Sequence, residues 1–354
     1  MGRPSLVRGI FFCCADLRSL RLLHLAAAQW TSCSLLSTIR PMTRSSSPLW
    51  IFVKLVLVAA IVLFLAWIAL LTYGKVAFAE ALSLRTAITR NPGLADGLVP
   101  QGLTWHQPGK VFLTAGYMAD GSPSRIYWID PATEESGFYP LTSGSQPFYG
   151  HTGGLQFAGG FLYLADDGSG LYRFSGQLPA SGSSMEIGQP IQLHCNASFV
   201  HASGGYIYVG EFNNDREYAC TNNFSYNNTY HSAIIAKYRP GSFGNPVAVY
   251  SIPNEIQGMV ILTDGTLVLS QSYGLSPSRF HLYPPAGQLK TGRTMHGTEV
   301  IFLGEPERTV EAPPMSEDLD LYQGQLVYLT EAASKKYRFG NLYLDRKIYS
   351  LRFD

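Results

Sequence analysis

The feature that most constrains this chain is a short hairpin that recurs in the same phase. QGLTWHQPGKVFLTAG (101–116), GGLQFAGGFLYLAD (153–166), SFVHASGGYIYVGE (198–211), QGMVILTDGTLVLSQ (257–271) and EDLDLYQGQLVYLTE (317–331) each read as strand, glycine turn, strand. The turns are Pro-Gly, Gly-Gly, Asp-Gly and Gln-Gly, the dipeptides that punctuate β structure. Successive starts lie 52, 45, 59 and 60 residues apart. A period near 40–50 residues with four strands per unit points to a radial array of sheets, a β-propeller. The fold class is therefore all-β, with five repeats and room for a sixth in 80–100. In the first unit SRIYWID and ESGFYPL supply the outer strands. In the fourth, SRFHLYP and TEVIFLG do so. The last unit ends at KIYSLRFD without a fourth strand, so 81–88 is expected to complete it and close the ring.

Before the repeats lies LWIFVKLVLVAAIVLFLAWIALLTYG (49–74), in which Leu55 to Leu71 is uninterruptedly apolar. A helix of that length crosses a bilayer core of about 30 Å. Arg40, Arg44 and Lys54 before it favour a cytoplasmic N-terminus. The expected layout is a cytoplasmic or targeting segment (1–48), a transmembrane signal anchor (49–74) and an extracytoplasmic propeller (75–354), that is, a single-pass type II membrane protein facing the extracellular or endomembrane lumenal side. The alternative is a signal peptide cleaved at the A-x-A of Ala77, Phe78 and Ala79, which releases a secreted form. Translation from Met42 in place of Met1 would give a short ordinary cytoplasmic tail. Residues 1–74 hold seven Lys/Arg and one acid, and the remainder holds 19 Lys/Arg and 24 acids. The propeller is thus mildly acidic with no long basic run, which excludes nucleic acid as a partner.

Of five cysteines, Cys195 and Cys220 follow the span. Sequons at Asn196, Asn223 and Asn227 bracket them. The pattern predicts a Cys195–Cys220 disulfide and N-glycosylation, both suited to an oxidising compartment.

In a blade the first strand begins at the face where the second one ends, so both positions gather at the channel mouth. One ring is Gln101, Gly153, Ser198, Gln257 and Glu317. The other is Ala115, Asp166, Glu211, Gln271 and Glu331. The expected ligand-binding set is Gln101, Asp166, Glu211, Gln257, Gln271, Glu331 and Tyr273, and Phe148, Tyr149 and Tyr337 are further aromatic candidates. His151 and Glu317 are the candidate base and catalytic ligand. Glu317, Gln257 and Gln101 are candidate oxygen ligands for calcium, a hard cation. His106 and His201, inside or ending first strands, are read as packing or turn residues. No P-loop, G-x-S-x-G, H-E-x-x-H or paired C-x-x-C occurs.

An N-terminal anchor, a lumenal propeller and sequons together resemble the calcium-dependent phosphotriesterase superfamily, which includes paraoxonase, gluconolactonase and strictosidine-synthase-like proteins. The resemblance covers about residues 80–354 and lies in architecture and hairpin style. It implies six blades, a central calcium held by acids and asparagines, and lactone or ester hydrolysis. Of the matching positions here, only Glu317 is of the expected type. Two classes of function stand: a propeller that binds a small molecule, glycan or protein at its mouth, and a calcium-dependent lactonase or esterase. A propeller glycosidase is the third reading.

Overall fold

The computed structural model describes residues 47–353 apart from Gly340. The segment before residue 47, with Cys13, Cys14, Cys33 and Met42, lies outside the described residues. The chain divides into two compact units, Met1–Ile61 and Val62–Asp354. Helix α1 (Pro48–Ala77) is the one described helix long and apolar enough to cross a membrane. At 1.5 Å per residue its 30 residues span about 45 Å.

The second unit is a five-bladed propeller. Blade 1 is Leu98–His106, Val111–Met118, Arg125–Ile129 and Ser136–Ser143, hydrogen-bonded in that order. Blade 2 has three strands, Gly154–Ala158, Phe161–Asp166 and Gly170–Ser175. Blade 3 is Phe199–Ser203, Tyr206–Gly210, Ala233–Tyr238 and Ala248–Ile252. Blade 4 is Ile256–Ile261, Leu267–Gln271, Ser278–Tyr283 and Arg308–Ala312. Blade 5 is Ser316–Tyr322, Gln325–Thr330 and Lys347–Leu351, completed by Arg85–Arg90 from the N-terminal side. The inner strands pack in sequence order and the fifth returns to the first. No place remains for the sixth blade that the family resemblance implies.

Two expectations need correction. Residues 81–84 belong to a short helix, α2 (Ala79–Leu84), and the closing strand begins at Arg85. Thr298–Leu303 is a strand, but it pairs parallel to the outer strand of blade 3. Arg308–Ala312 takes its place as the fourth strand of blade 4.

The second strands read as continuous apolar runs because both of their faces are covered. Side chains alternate between faces. Phe112 therefore packs toward blade 5 and Leu113 toward blade 2. Tyr208 and Val209 divide likewise between blades 4 and 2. Five apolar layers result, one between each pair of neighbouring blades.

Along the axis the packing is polar. Glycines allow the inner strands to touch. A Cβ on Gly102 would meet Leu155, one on Gly154 would meet Phe199, and one on Gly258 would meet Asp318. At the equivalent place blade 5 carries Asp318, fully buried. Its Oδ2 accepts the backbone N–H of Leu103 in blade 1 and of Leu155 in blade 2, each at 3.1 Å. One layer below, Asp320 accepts the Thr104 hydroxyl (2.8 Å) and the Trp105 N–H (2.7 Å). Gln156 donates to Asp320 and accepts from the Ala202 N–H of blade 3. His201 Nε2 accepts the Ile261 N–H of blade 4 at 3.3 Å. Burial holds that imidazole neutral, its pKa lowered to about 3. A hydrogen bond between Ser270 and Ser316 joins blade 4 to blade 5. The axis below the mouth is thus filled by side chains.

Replacing Asp318 by Ala orphans two buried N–H groups, each costing about 1–3 kcal/mol. We expect a lowered urea midpoint for Asp318→Ala and a smaller loss for Asp318→Asn, which retains an acceptor oxygen. Equal midpoints for wild type and Asp318→Ala would show that the bridge is not stabilising.

Candidate functional site

Above the Asp318 layer the axis opens into a cavity of about 410 Å³. All five residues of the first ring, Gln101, Gly153, Ser198, Gln257 and Glu317, line it. Each stands one residue before the point of closest strand approach, so the side chains of Gln101, Ser198, Gln257 and Glu317 face the mouth.

The second ring behaves differently. Asp166 is buried, and its Oδ1 accepts the Thr152 N–H (3.0 Å). Glu211 accepts the N–H groups of Asn196 (3.1 Å) and Ile234 (3.0 Å) and the Asn222 amide. Gln271 donates to the Asn254 carbonyl (2.9 Å) and pairs with His281 (3.0 Å). In each case the return of the second strand fastens the backbone just before its own blade's inner strand. These three side chains are latches and do not line the axial cavity. In blade 5 the backbone does this work, through a bond from Glu331 N–H to the Met315 carbonyl. The Glu331 side chain is left to enter the cavity.

There it meets Glu317. The two carboxyls lie within hydrogen-bonding reach of each other. Gln101 Nε2 donates to Glu331 Oε2 at 2.9 Å. Burial raises both pKa values, and the charges of Glu331 and Asp318 add to the rise of Glu317. For Glu331 the amide of Gln101 and the charge of Lys336 act in the opposite direction. The pair therefore titrates as a unit, with both carboxyls held toward their protonated forms.

The wall beside the pair comes from loops. His151 stacks on Tyr117, with ring centroids 4.9 Å apart. Burial lowers its pKa, so it is neutral at pH 7. The Lys336 ammonium donates to the Tyr117 hydroxyl (2.7 Å), which also bonds Tyr337 (3.3 Å). Across the cavity Asp167, raised in pKa by burial, accepts the Ser198 hydroxyl at 2.6 Å. Gln257 has no hydrogen-bond partner among the described residues, and Tyr273 stands half-exposed at the rim beside Phe212. Tyr337 joins this wall. Phe148 packs under Tyr172, and Tyr149 is exposed away from the lining. His106 Nδ1 accepts the Gly109 N–H of its own turn (3.0 Å), and its Nε2 bonds the Gly176 carbonyl beyond the third strand of blade 2 (2.8 Å).

The expected disulfide is absent: Cys195 and Cys220 are free thiols. Their sulfurs are turned to different backbone carbonyls, Cys195 toward Val209 (3.7 Å) and Cys220 toward Phe212 (3.4 Å). Burial pushes both thiols up in pKa, that of Cys220 to about 12. The cysteine pair consequently gives no support to an oxidising compartment. The three sequon asparagines are exposed. Among the described residues no group of three or more His, Cys, Asp or Glu side chains forms a metal-ligand cluster.

No protein-family model matches the sequence, and no curated protein matches it. Among solved structures, the chain is similar to a PQQ-bound aldose sugar dehydrogenase of Streptomyces coelicolor (14% identity, TM-score 0.40, 69% of this chain and 76% of that one). It is also similar to a glutaminyl cyclase of Myxococcus xanthus (12%, 0.43, 76% and 96%). A third likeness is to a putative oxidoreductase of Thermus thermophilus (11%, 0.39, 71% and 82%). At such identities and TM-scores the chemistry of the mouth rests on its own residues.

A carboxyl whose pKa is raised on folding keeps its proton when the unfolded chain has lost it. Its contribution is fully present below the unfolded value of about 4.3 and is lost as pH rises through the raised one. Glu317 and Glu331 both act in this sense. We expect the denaturation midpoint to fall as pH rises above about 4.3, and Glu317→Gln to flatten that fall. An unchanged slope in the variant would show that the pair is ionised on both sides throughout.

Proposed function

We propose that the mouth is the active site of a hydrolase that opens lactones or esters by general acid–base catalysis. The reading rests on one observation, the Glu317–Glu331 pair, two carboxyls within reach of each other on the wall of an open cavity. A carboxyl pair sharing one proton offers a base and an acid at the same place. Gln101 favours the charged form of Glu331, which makes it the base. Glu331 takes a proton from water as the water oxygen bonds to the carbonyl carbon. Glu317 gives its proton to the alkoxide oxygen as the C–O bond breaks. The pair is left singly protonated, with the two roles exchanged by one proton shift. Gln257 and the Lys336 ammonium stand as donors for charge developing on the carbonyl oxygen. Neutral His151 serves as a hydrogen-bonding group on the wall.

Buried acids can also be neutralised by a cation. Glu317 and Glu331 with the amide oxygens of Gln101 and Gln257 are the residues that would hold calcium, and the ion when bound would supply polarisation of the carbonyl. Glycoside hydrolysis is less well supported. A retaining glycosidase needs its carboxyls about 5 Å apart and an inverting one more, wider than a pair within hydrogen-bonding reach. The non-catalytic reading is supported by the unpartnered Gln257 and the rim aromatic Tyr273, features of a mouth that holds a ligand without turning it over. We further propose a type II anchor through α1, with the propeller outside the cytosol and N-glycosylated at Asn196, Asn223 and Asn227.

The test is a screen of lactones and aryl esters with the purified full chain, run with added calcium and with chelator. Glu317→Gln and Glu331→Gln should each lower kcat by about 10²–10⁴, with the melting curve retained. Chelation should leave the rate unchanged. A chelator-sensitive rate would place calcium between the carboxyls. Ligand binding without turnover in wild type would assign the mouth to recognition alone.

A further inference from the structure

Blade 5 carries a long strap between Thr330 and Lys347. Its first part, with Glu331, Lys336 and Tyr337, lines the mouth. Its second part has a different character. Phe339 is 84% exposed, and Leu342 and Leu344 are about half as exposed. Apolar side chains this open, gathered within six residues, usually mark a surface that meets something. Lys335, Arg338, Arg346 and Lys347 flank them, all exposed, and none has an ion-pair partner among the described residues. The one acid of this stretch, Asp345, is already paired with Arg85 at 2.6 Å.

Two observations say what the surface meets. Tyr343, between the exposed leucines, packs edge-on against Phe78 with centroids 5.3 Å apart, and a Cβ on Gly74 would overlap its hydroxyl. Gly74 and Phe78 lie at the C-terminal end of α1, in the same compact unit as the propeller. The exposed apolar residues thus begin where the apolar helix ends. Beside them, Arg90, Lys335, Arg338 and Arg346 line a cavity of about 690 Å³ whose one acid is Asp96. Asp96 is engaged by the Tyr127 hydroxyl at 3.0 Å. Arg90 is already engaged by Glu134, in an ion pair at 4.0 Å and a bond to its carbonyl at 3.0 Å. The three remaining cations around the cavity complement an anion, and aromatic and apolar side chains among cations fit the interfacial zone of a bilayer.

We propose that residues 335–347 are a membrane-docking surface. Phe339, Leu342 and Leu344 enter the headgroup boundary of the leaflet from which α1 emerges. Lys335, Arg338 and Arg346 hold the phosphate of an anionic phospholipid in the adjoining cavity. The inference rests on the reading of α1 as a membrane anchor and is independent of the chemistry at the mouth.

The experiment uses the full chain in nanodiscs of phosphatidylcholine alone or mixed with phosphatidylserine. A photoreactive benzoylphenylalanine replaces Phe339, or Leu289 on the outer hairpin of blade 3 as control. Retention in the discs after alkaline wash is measured first, and melting curves matched to wild type show that each variant is folded. We expect lipid adducts at position 339 several-fold above those at position 289, rising with phosphatidylserine. Combined Lys335→Glu, Arg338→Glu and Arg346→Glu substitutions should remove that rise. A retained chain with equal adducts at the two positions overturns the docking surface while leaving the anchor intact. Adducts unaffected by phosphatidylserine and by charge reversal overturn the headgroup site. Adducts to a second copy of the chain overturn the proposal in favour of self-association. Loss of the chain on washing overturns anchor and docking together.

Discussion

The bond from one buried carboxyl group, that of Asp318, to two backbone N–H groups of different blades is the contact on which the ring depends. Inner strands of neighbouring blades have no ladder to join them. At the axis, where glycines bring backbones into contact, unpaired N–H groups would be left without water or partner. Asp318 meets two of them at 3.1 Å with one oxygen. It sits in blade 5, next to the seam where the last blade meets the first, so it bridges across the closure itself. The layer beneath repeats the solution with Asp320, Thr104, Gln156 and His201, and a polar linkage passes across every blade interface. Polar networks of this kind stabilise only when nearly every member is satisfied. This one comes close, with His201 Nδ1 left unpaired.

The same economy separates structure from chemistry at the mouth. Asp166, Glu211 and Gln271 are polar residues at strand returns, and each is consumed in fastening its own blade. Glu331 occupies the same position in the repeat but leaves that task to its main chain. A carboxyl released from a structural role, set against a second carboxyl in a cavity, is what makes blade 5 different from the other four.

Much of this was legible in the sequence. The phase of the hairpins located the five blades, and aligning their first residues named five residues that all line one cavity. The period-2 geometry of strands makes such an alignment reliable over one or two residues. It fails where loops intervene. Lys336 reaches the mouth from a segment that does not repeat, so no alignment could place it. Asp318 and Asp320 lay hidden in EDLD, because their partners in blades 1 and 2 are more than 160 residues away. Thr298–Leu303 has every mark of a strand, and its pairing with blade 3 in place of blade 4 depends on a parallel register that local pattern does not encode. The Cys195–Cys220 pairing inferred from spacing and sequons gave way to two thiols turned to separate carbonyls.

Closure of blade 5 by Arg85–Arg90 has a consequence for how the protein is made. This strand leaves the ribosome before any other strand of the propeller, yet its partner, Lys347–Leu351, is the last. Until then the early blades have neighbours to pack on, but the ring has no way to shut. The pairing that ends folding spans nearly the whole domain, the kind of contact that slows folding most. Synthesis at about 5–20 residues per second leaves Arg85–Arg90 an unpaired edge for many seconds, beside an apolar helix. Assembly of this propeller is therefore completed only once Lys347–Leu351 has been made, and its vulnerable interval is set by the time the first strand must wait for the last.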